Sequence, residues 1–206
     1  MEENKKVKKP FYKRWWFWVI VVLIVIGAAG SQGGDEDKAQ DDQAAASSVS
    51  QTNEDPEPQL SPQEIKEAAD SNDLKIYQSL KFAKVYFENL QAKISSETAV
   101  PAEISAYCDE TQQYCRNFID HLDEVTDESA EDYKTAVFNY IGNIQLIAKD
   151  TKDFVDSADS DALSSIQEGI QLMPTYTQNV VDARTAYLKQ AGFTDDEINE
   201  RLADEE

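Results

Sequence analysis

YKTAVFNYIGNIQLIAKDTKDF, residues 133–154, sets Tyr133, Val137, Tyr140, Ile144, Ile147, Thr151 and Phe154 at alternating steps of four and three. At 3.6 residues per turn, that alternation lines up one stripe of a helix, whereas a half-buried strand needs a period of two. The same rule recurs on both sides. An earlier segment reads Ile76, Leu80, Ala83, Phe87, Leu90, Ile94, and a second reads Ile104, Cys108, Thr111, Cys115, Phe118, Leu122, Val125. A fourth reads Leu163, Ile166, Ile170, Met173, Thr177, Val180, Arg184, Tyr187, Ala191. Four amphipathic helices with short links predict an all-α, antiparallel four-helix bundle, packed like a left-handed coiled coil at about +20°.

The breaks between stripes carry start and stop signals. Ser61-Pro62-Gln63-Glu64 combines a capping serine, proline at the first helical position and a glutamate that reaches back to the cap. The bundle is therefore expected to span 61–206. Pro101 opens the second helix, Ser129-Ala130-Glu131-Asp132 offers a capping box for the third, and Ser157 to Asp161 is a polar break. Gly192 fits a C-terminal cap, and Thr194-Asp195-Asp196-Glu197 starts a short final helix. Pro174, near Gly169, interrupts the fourth stripe: it removes the bond to the carbonyl of Ile170 and kinks the helix.

Charge divides the chain into parts that face different surroundings. Residues 1–30 carry six Lys/Arg against two Asp/Glu, residues 31–61 one against eight, and residues 62–206 twelve against thirty. Nucleic-acid binders gain affinity by neutralising phosphates with Lys and Arg. So acidic a domain excludes nucleic acid as a partner, and it opposes anionic headgroup surfaces.

Trp15 to Gly34 is a run of 20 residues without a charge, about 30 Å as a helix, which is the thickness of a bilayer core. Six basic residues precede it within 1–14, and Asp35, Glu36 and Asp37 follow it. The positive-inside rule puts the tail 1–14 in the cytoplasm and everything after Gly34 outside, with the membrane helix at 15–34. A cleaved signal peptide is the rival reading, because Ala28-Ala29-Gly30 supplies small residues of the kind a signal peptidase accepts. Residues 35–60 are Asp, Glu, Gln, Ala, Ser, Gly and Pro with only Val49 and Leu60 as large aliphatics, a composition expected to form a disordered acidic linker. As a flexible chain it would hold the outer domain on the order of 30 Å from its anchor.

The stretch Lys8-Lys9-Pro10-Phe11-Tyr12-Lys13-Arg14-Trp15-Trp16-Phe17-Trp18, followed by Val, Ile and Leu and then Gly27-Ala28-Ala29-Gly30-Ser31, resembles the N-terminal anchors of small surface proteins of Gram-positive bacteria. The resemblance covers residues 1–35. It implies single-pass attachment to the cell membrane with an extracytoplasmic C-terminal domain.

The residues that could carry chemistry have plainer explanations. Cys108 and Cys115 lie seven apart on one predicted helix, about 10.5 Å by helical rise, whereas a disulfide needs Cα atoms within about 7 Å. Both fall on the stripe, so buried thiols are expected; a bridge would require a broken segment or a second chain. His121, the one histidine, has Asp120, Asp123 and Glu124 beside it, but zinc sites draw three or four ligands. The run Asp120 to Asp132 and the set Asp153, Asp156, Asp159, Asp161 lack the spacing of a 12-residue calcium loop. Neither a Gly-rich phosphate loop nor a nucleophile motif occurs. The expectation is a non-enzyme with no catalytic residue, cofactor or metal.

The first helix carries surplus apolar residues. Phe82 and Tyr86 project about 80–120° from the stripe centre at 100° per residue, and Val85 lies opposite it. Flanking helices could cover them, or a partner could. Phe82, Val85 and Tyr86 are the candidate partner-binding residues, since aromatic side chains are enriched at interfaces. The function expected is a membrane-tethered module that binds a protein or peptide near the outer face of the cytoplasmic membrane. The alternative is small-molecule or ion binding in the bundle interior.

Overall fold

The computed structural model describes residues 60–96 and 98–203. The expected tail 1–14, the expected membrane helix Trp15–Gly34 and the expected linker up to residue 59 lie outside the described residues. These form an all-helical bundle of five α-helices: α1 (Pro62–Ser95), α2 (Pro101–Leu122), α3 (Glu131–Ser157), α4 (Ser160–Gln190) and α5 (Asp195–Ala203). A 3-10 turn, Glu128–Ala130, precedes α3, and no strand occurs among the described residues. None of these helices is long and apolar enough to cross a membrane.

The termini follow local hydrogen bonding. At α1 the capping box is complete: the Glu64 N–H donates to Ser61 Oγ at 3.3 Å, and the Ser61 N–H donates to Glu64 Oε2 at 2.7 Å. Thr194 and Glu197 repeat the arrangement at α5, at 3.3 and 2.8 Å. The box expected at Ser129–Asp132 does not form. Asp127 takes that serine instead, its Oδ1 accepting from the Ser129 N–H at 2.9 Å and the Ser129 hydroxyl at 2.7 Å, so α3 starts at Ala130 without a side-chain cap. An aspartate two residues upstream competes better for a serine than the helix does. The polar break at 157–161 ends α3 on Ala158 at φ +58° and caps α4 through Asp159. Gly192, at φ +90°, turns the chain after α4, where the Phe193 N–H donates to the Leu188 carbonyl.

Contacts between helices pair rising numbers with falling ones. Phe82 and Tyr86 of α1 meet Phe118 and Tyr114 of α2. Ser105 and Asp109 of α2 meet Asp156 and Lys152 of α3. Asn143 and Tyr133 of α3 meet Gly169 and Tyr187 of α4. Consecutive helices are therefore antiparallel. α3 is the central element, packed on α1, α2 and α4, whereas α1 touches α4 only marginally.

The stripes of α1, α2 and α3 are buried at nearly every expected position, and Val125 is buried just beyond the end of α2. The exception within them is Phe118, which is half-buried. The fourth stripe departs further. Ile166, Ile170, Val180, Arg184 and Tyr187 are buried, but Met173 is only half-buried and Thr177 is exposed. From Gln171 to Asn179 no residue of α4 is buried. Pro174 sits in the middle of this stretch, where the helix loses a backbone donor and its ring crowds the preceding turn.

Candidate functional site

α1 shows two different flanks, one toward α2 and one toward α4, and the three candidate partner residues are divided between them. Phe82 and Tyr86 belong to the first. There the Tyr86 ring stacks on Tyr114 at 4.4 Å between centroids and lies 6.1 Å from both Tyr107 and Phe118. Phe82 stacks on Phe118 at 6.0 Å, and Tyr114 stacks on Phe118 at 6.1 Å. The result is a continuous ladder of rings along the α1–α2 seam. One side of it is wet: Phe82 is 54% exposed and Tyr114 38%. Lys93 places its ammonium 5.0 Å over Tyr107 at one end. At the other, a small hollow of about 210 Å³ is shared by Lys75, Ser79, Phe82, Phe118 and His121. Burial, then the Tyr114 hydroxyl beside it, pushes the Tyr86 phenol up, so it remains a neutral donor at physiological pH.

Val85 is not part of this ladder. It is 44% exposed on the opposite flank, where it lines a groove of about 550 Å³ between α1 and α4. Leu80, Tyr140 and Val180 form the floor, and Lys81 and Lys84 stand on the α1 rim.

One end of the α1–α4 seam is closed by a buried ion pair absent from the expected set. Asp73 is 1% exposed and Arg184 3%. Arg184 grips it with Nε at 2.8 Å and Nη2 at 2.9 Å, while its guanidinium lies 4.3 Å over the Tyr77 ring. Arg201 of α5 adds a second cation 3.8 Å from Asp73 and bonds Asp70 at 2.6 Å. Nearby, Asp127 accepts from Tyr187 at 3.1 Å and Asn72 at 3.2 Å. Burial acts to raise the Asp127 pKa, but the bonds from Ser129, Tyr187 and Asn72 together outweigh it and lower it.

The other polar candidates have intramolecular roles. Cys108 and Cys115 are buried, free thiols within an unbroken α2, and burial pushes both up to about 12. Asp153 pairs with Lys149, Asp156 with Lys152, and Asp159 caps α4. His121 is exposed, with Nδ1 4.0 Å from Glu124. Among the described residues, no three His, Cys, Asp or Glu side chains converge as a metal site would require.

The α2 half of the ladder was legible in part: Phe118 is a stripe residue, and Tyr107 and Tyr114 are seven apart, hence on one face. Tyr140, Val180 and Leu202 of the groove carry no sequence signal beyond membership of an apolar face. Comparison with known proteins finds no family model, no curated protein and no solved structure that this chain matches.

Proposed function

We propose that this chain is a membrane-tethered, extracytoplasmic helical module that binds a protein or peptide partner. In this reading Trp15–Gly34 forms a single transmembrane helix with residues 1–14 in the cytoplasm, residues 35–60 are a disordered tether, and the bundle stands close to the outer leaflet. The observation that supports it is the wet side of the aromatic ladder on α1 and α2. Rings held in place by other rings offer large contact area at little entropic cost, which is how aromatic anchors serve at interfaces. A ladder left half open to water, with a lysine at each end, suits a partner that covers it.

The decisive variant changes the two most exposed rings, Phe82→Ala with Tyr114→Ala, in the full-length chain. Because both are more than a third exposed, the melting temperature is expected to fall by only a few degrees. A partner recovered from detergent-solubilised membranes with the parent chain is expected to be lost with the variant. Retention of the same partner at the same yield would defeat the ladder reading. Protease added to intact, wall-stripped cells tests the topology, and the bundle is expected to be removed.

One observation favours a second reading, small-molecule binding within the bundle. The α1–α4 groove, at about 550 Å³, falls in the range of about 300–1,000 Å³ typical of ligand pockets.

A further inference from the structure

We propose that Tyr86 and Tyr114 form a site of oxidative cross-linking, at which a one-electron oxidant of the kind a peroxidase makes from hydrogen peroxide joins the two phenol rings by a carbon–carbon bond and ties α1 to α2. The proposal concerns the phenols of the aromatic ladder and does not rest on the ladder's having a partner.

Proximity comes first. The two rings are stacked with centroids 4.4 Å apart and 26° between their planes, and their hydroxyls share a hydrogen bond. The ring edges that carry the hydroxyls therefore lie side by side, and with them the ortho carbons, the positions at which phenoxyl radicals couple. Other phenol pairs are set wider: Tyr86 and Tyr107 at 6.1 Å, Tyr133 and Tyr187 at 6.0 Å. Holding two reactants in contact replaces a bimolecular encounter with an intramolecular step.

Access comes second. Tyr114 is exposed and Tyr86 half-buried on the wet side of the ladder, whereas Tyr133 and Tyr187 are buried. An oxidant can thus draw an electron from the first pair and not from the second. Phe82 and Phe118 continue the ladder beyond Tyr114, and rings without a hydroxyl are far harder to oxidise. On the other side Lys93 holds its ammonium 5.0 Å over Tyr107, and a cation over a ring opposes the removal of an electron from it. Tyr86 and Tyr114 are left as the pair that is both close and reachable. Burial, and then the Tyr114 hydroxyl, raise the Tyr86 phenol above its ordinary value, so its electron leaves together with its proton.

The chemistry balances within the pair. Each phenol gives one electron to the oxidant and its hydroxyl proton to water, leaving two phenoxyl radicals. These pair their electrons in a bond between one ortho carbon of each ring. Each of those carbons then loses its hydrogen as a proton while its oxygen regains one, which restores both hydroxyls. The net loss is one ring hydrogen from each tyrosine, two electrons and two protons in all, which one hydrogen peroxide takes up in becoming two waters. Because Tyr86 and Tyr114 lie on consecutive helices, the bond closes the loop 86–114 and restrains the unfolded chain as a disulfide would.

The test treats the full-length chain in detergent with a haem peroxidase and limiting hydrogen peroxide, under conditions that couple free tyrosine. A product with dityrosine fluorescence is expected that runs as a monomer on a denaturing gel. Tryptic digestion should yield peptides 85–93 and 94–116 joined with the loss of two hydrogens, and fragmentation should place the bond on Tyr114 and not on Tyr107. Tyr86→Phe and Tyr114→Phe, each of which keeps a ring in the stack, are expected to reduce this product about tenfold, and Tyr107→Phe to leave it unchanged. The cross-linked chain is expected to melt several degrees above the untreated one. Coupling carried chiefly by Tyr107, by Tyr133 with Tyr187 or by chain-to-chain dimers overturns the proposal, as does the absence of the joined peptides or their persistence in Tyr114→Phe. A cross-linked chain that melts no higher overturns its role in tying α1 to α2.

Discussion

Asp73 and Arg184 occupy positions where the stripes of α1 and α4 call for apolar side chains. Both are almost fully buried and joined by two hydrogen bonds. Two desolvated charges repay their burial only in good geometry, and removing one leaves the other stranded. Arg184→Met is therefore expected to cost about 3–5 kcal/mol in urea denaturation. The double change with Asp73→Leu should recover most of that, because a well-packed apolar pair is often no less stable than the ion pair it replaces. Loss in the double variant equal to that in the single would refute this account. Half of the pair was legible, since Arg184 falls on the fourth stripe. Asp73 sits three residues before Ile76 and continues the α1 stripe backward, but a lone aspartate on an extrapolated register reads as the end of a stripe until the arginine is seen opposite it. Gly169 is a second such position. A Cβ there would lie 2.7 Å from Ile147 Cγ1, near the root of a branched side chain that cannot swing aside. Gly169→Ala gains about 1 kcal/mol of helix propensity but incurs overpacking of about 1–3 kcal/mol, so a net loss of stability is expected by the same measurement.

The helices differ in how fully their own sequences set them. α2 continues unbroken through Cys108 and Cys115, as the alternating stripe implied, and both thiols are free and buried. At pH 8, an alkylating reagent should leave both unmodified in the native chain and modify both in denaturant without reductant; rapid native labelling would show that α2 opens. The linkage has a definite sign. Their folded pKa values, about 12, stand above the ordinary value of 9.0. The stability tied to keeping them neutral is thus fully present below pH 9 and is lost as pH rises towards 12. α4 behaves otherwise. Its stripe was read straight through Met173 and Thr177, and burial fails at those two positions. Periodicity records which side chains share a face, not whether the face is pressed against the core, and the proline that was already visible at 174 is what separates the two. Pro174→Ala restores a backbone donor and a good helix former, so a gain of about 1–3 kcal/mol is expected, less the entropy that proline removes from the unfolded chain. No change, or a loss, would mean that the exposure of residues 171–179 has another cause.

At the scale of the whole molecule, the order and number of the helices could be read from the sequence, but the unequal closure of the bundle could not. That closure depends on α5, which bridges the ends of α1 and α4 through contacts distant in sequence. With nine residues, α5 is shorter than the roughly 12–15 at which isolated helices become even marginal in water, so docking must hold it. The docking combines the buried Ile198 and Phe193 with a set of ion pairs. Lys66 binds Glu197 at 2.6 Å, Arg201 reaches Asp70 and Asp73, and Phe193 lies beneath both cations at 4.7 and 4.6 Å. Glu197 is lowered from its ordinary 4.5 to about 2, first by the Lys66 bond and then by the Thr194 N–H and hydroxyl. A depressed folded pKa means that its contribution is present above pH 4.5 and disappears as pH falls through about 2. Protonation there removes both the tie to Lys66 and the cap that starts the helix. The stretch of α3 from Ile141 to Ala148, by contrast, carries no titratable side chain. Hydrogen exchange followed from pH 5 to pH 2 should therefore show the amides of residues 195–203 losing protection while those around Ile141 to Ala148 keep theirs. Equal protection of α5 and the core at pH 2 would show that Ile198 and Phe193 hold α5 by packing alone; simultaneous loss of both would show that α5 and the bundle unfold as one unit.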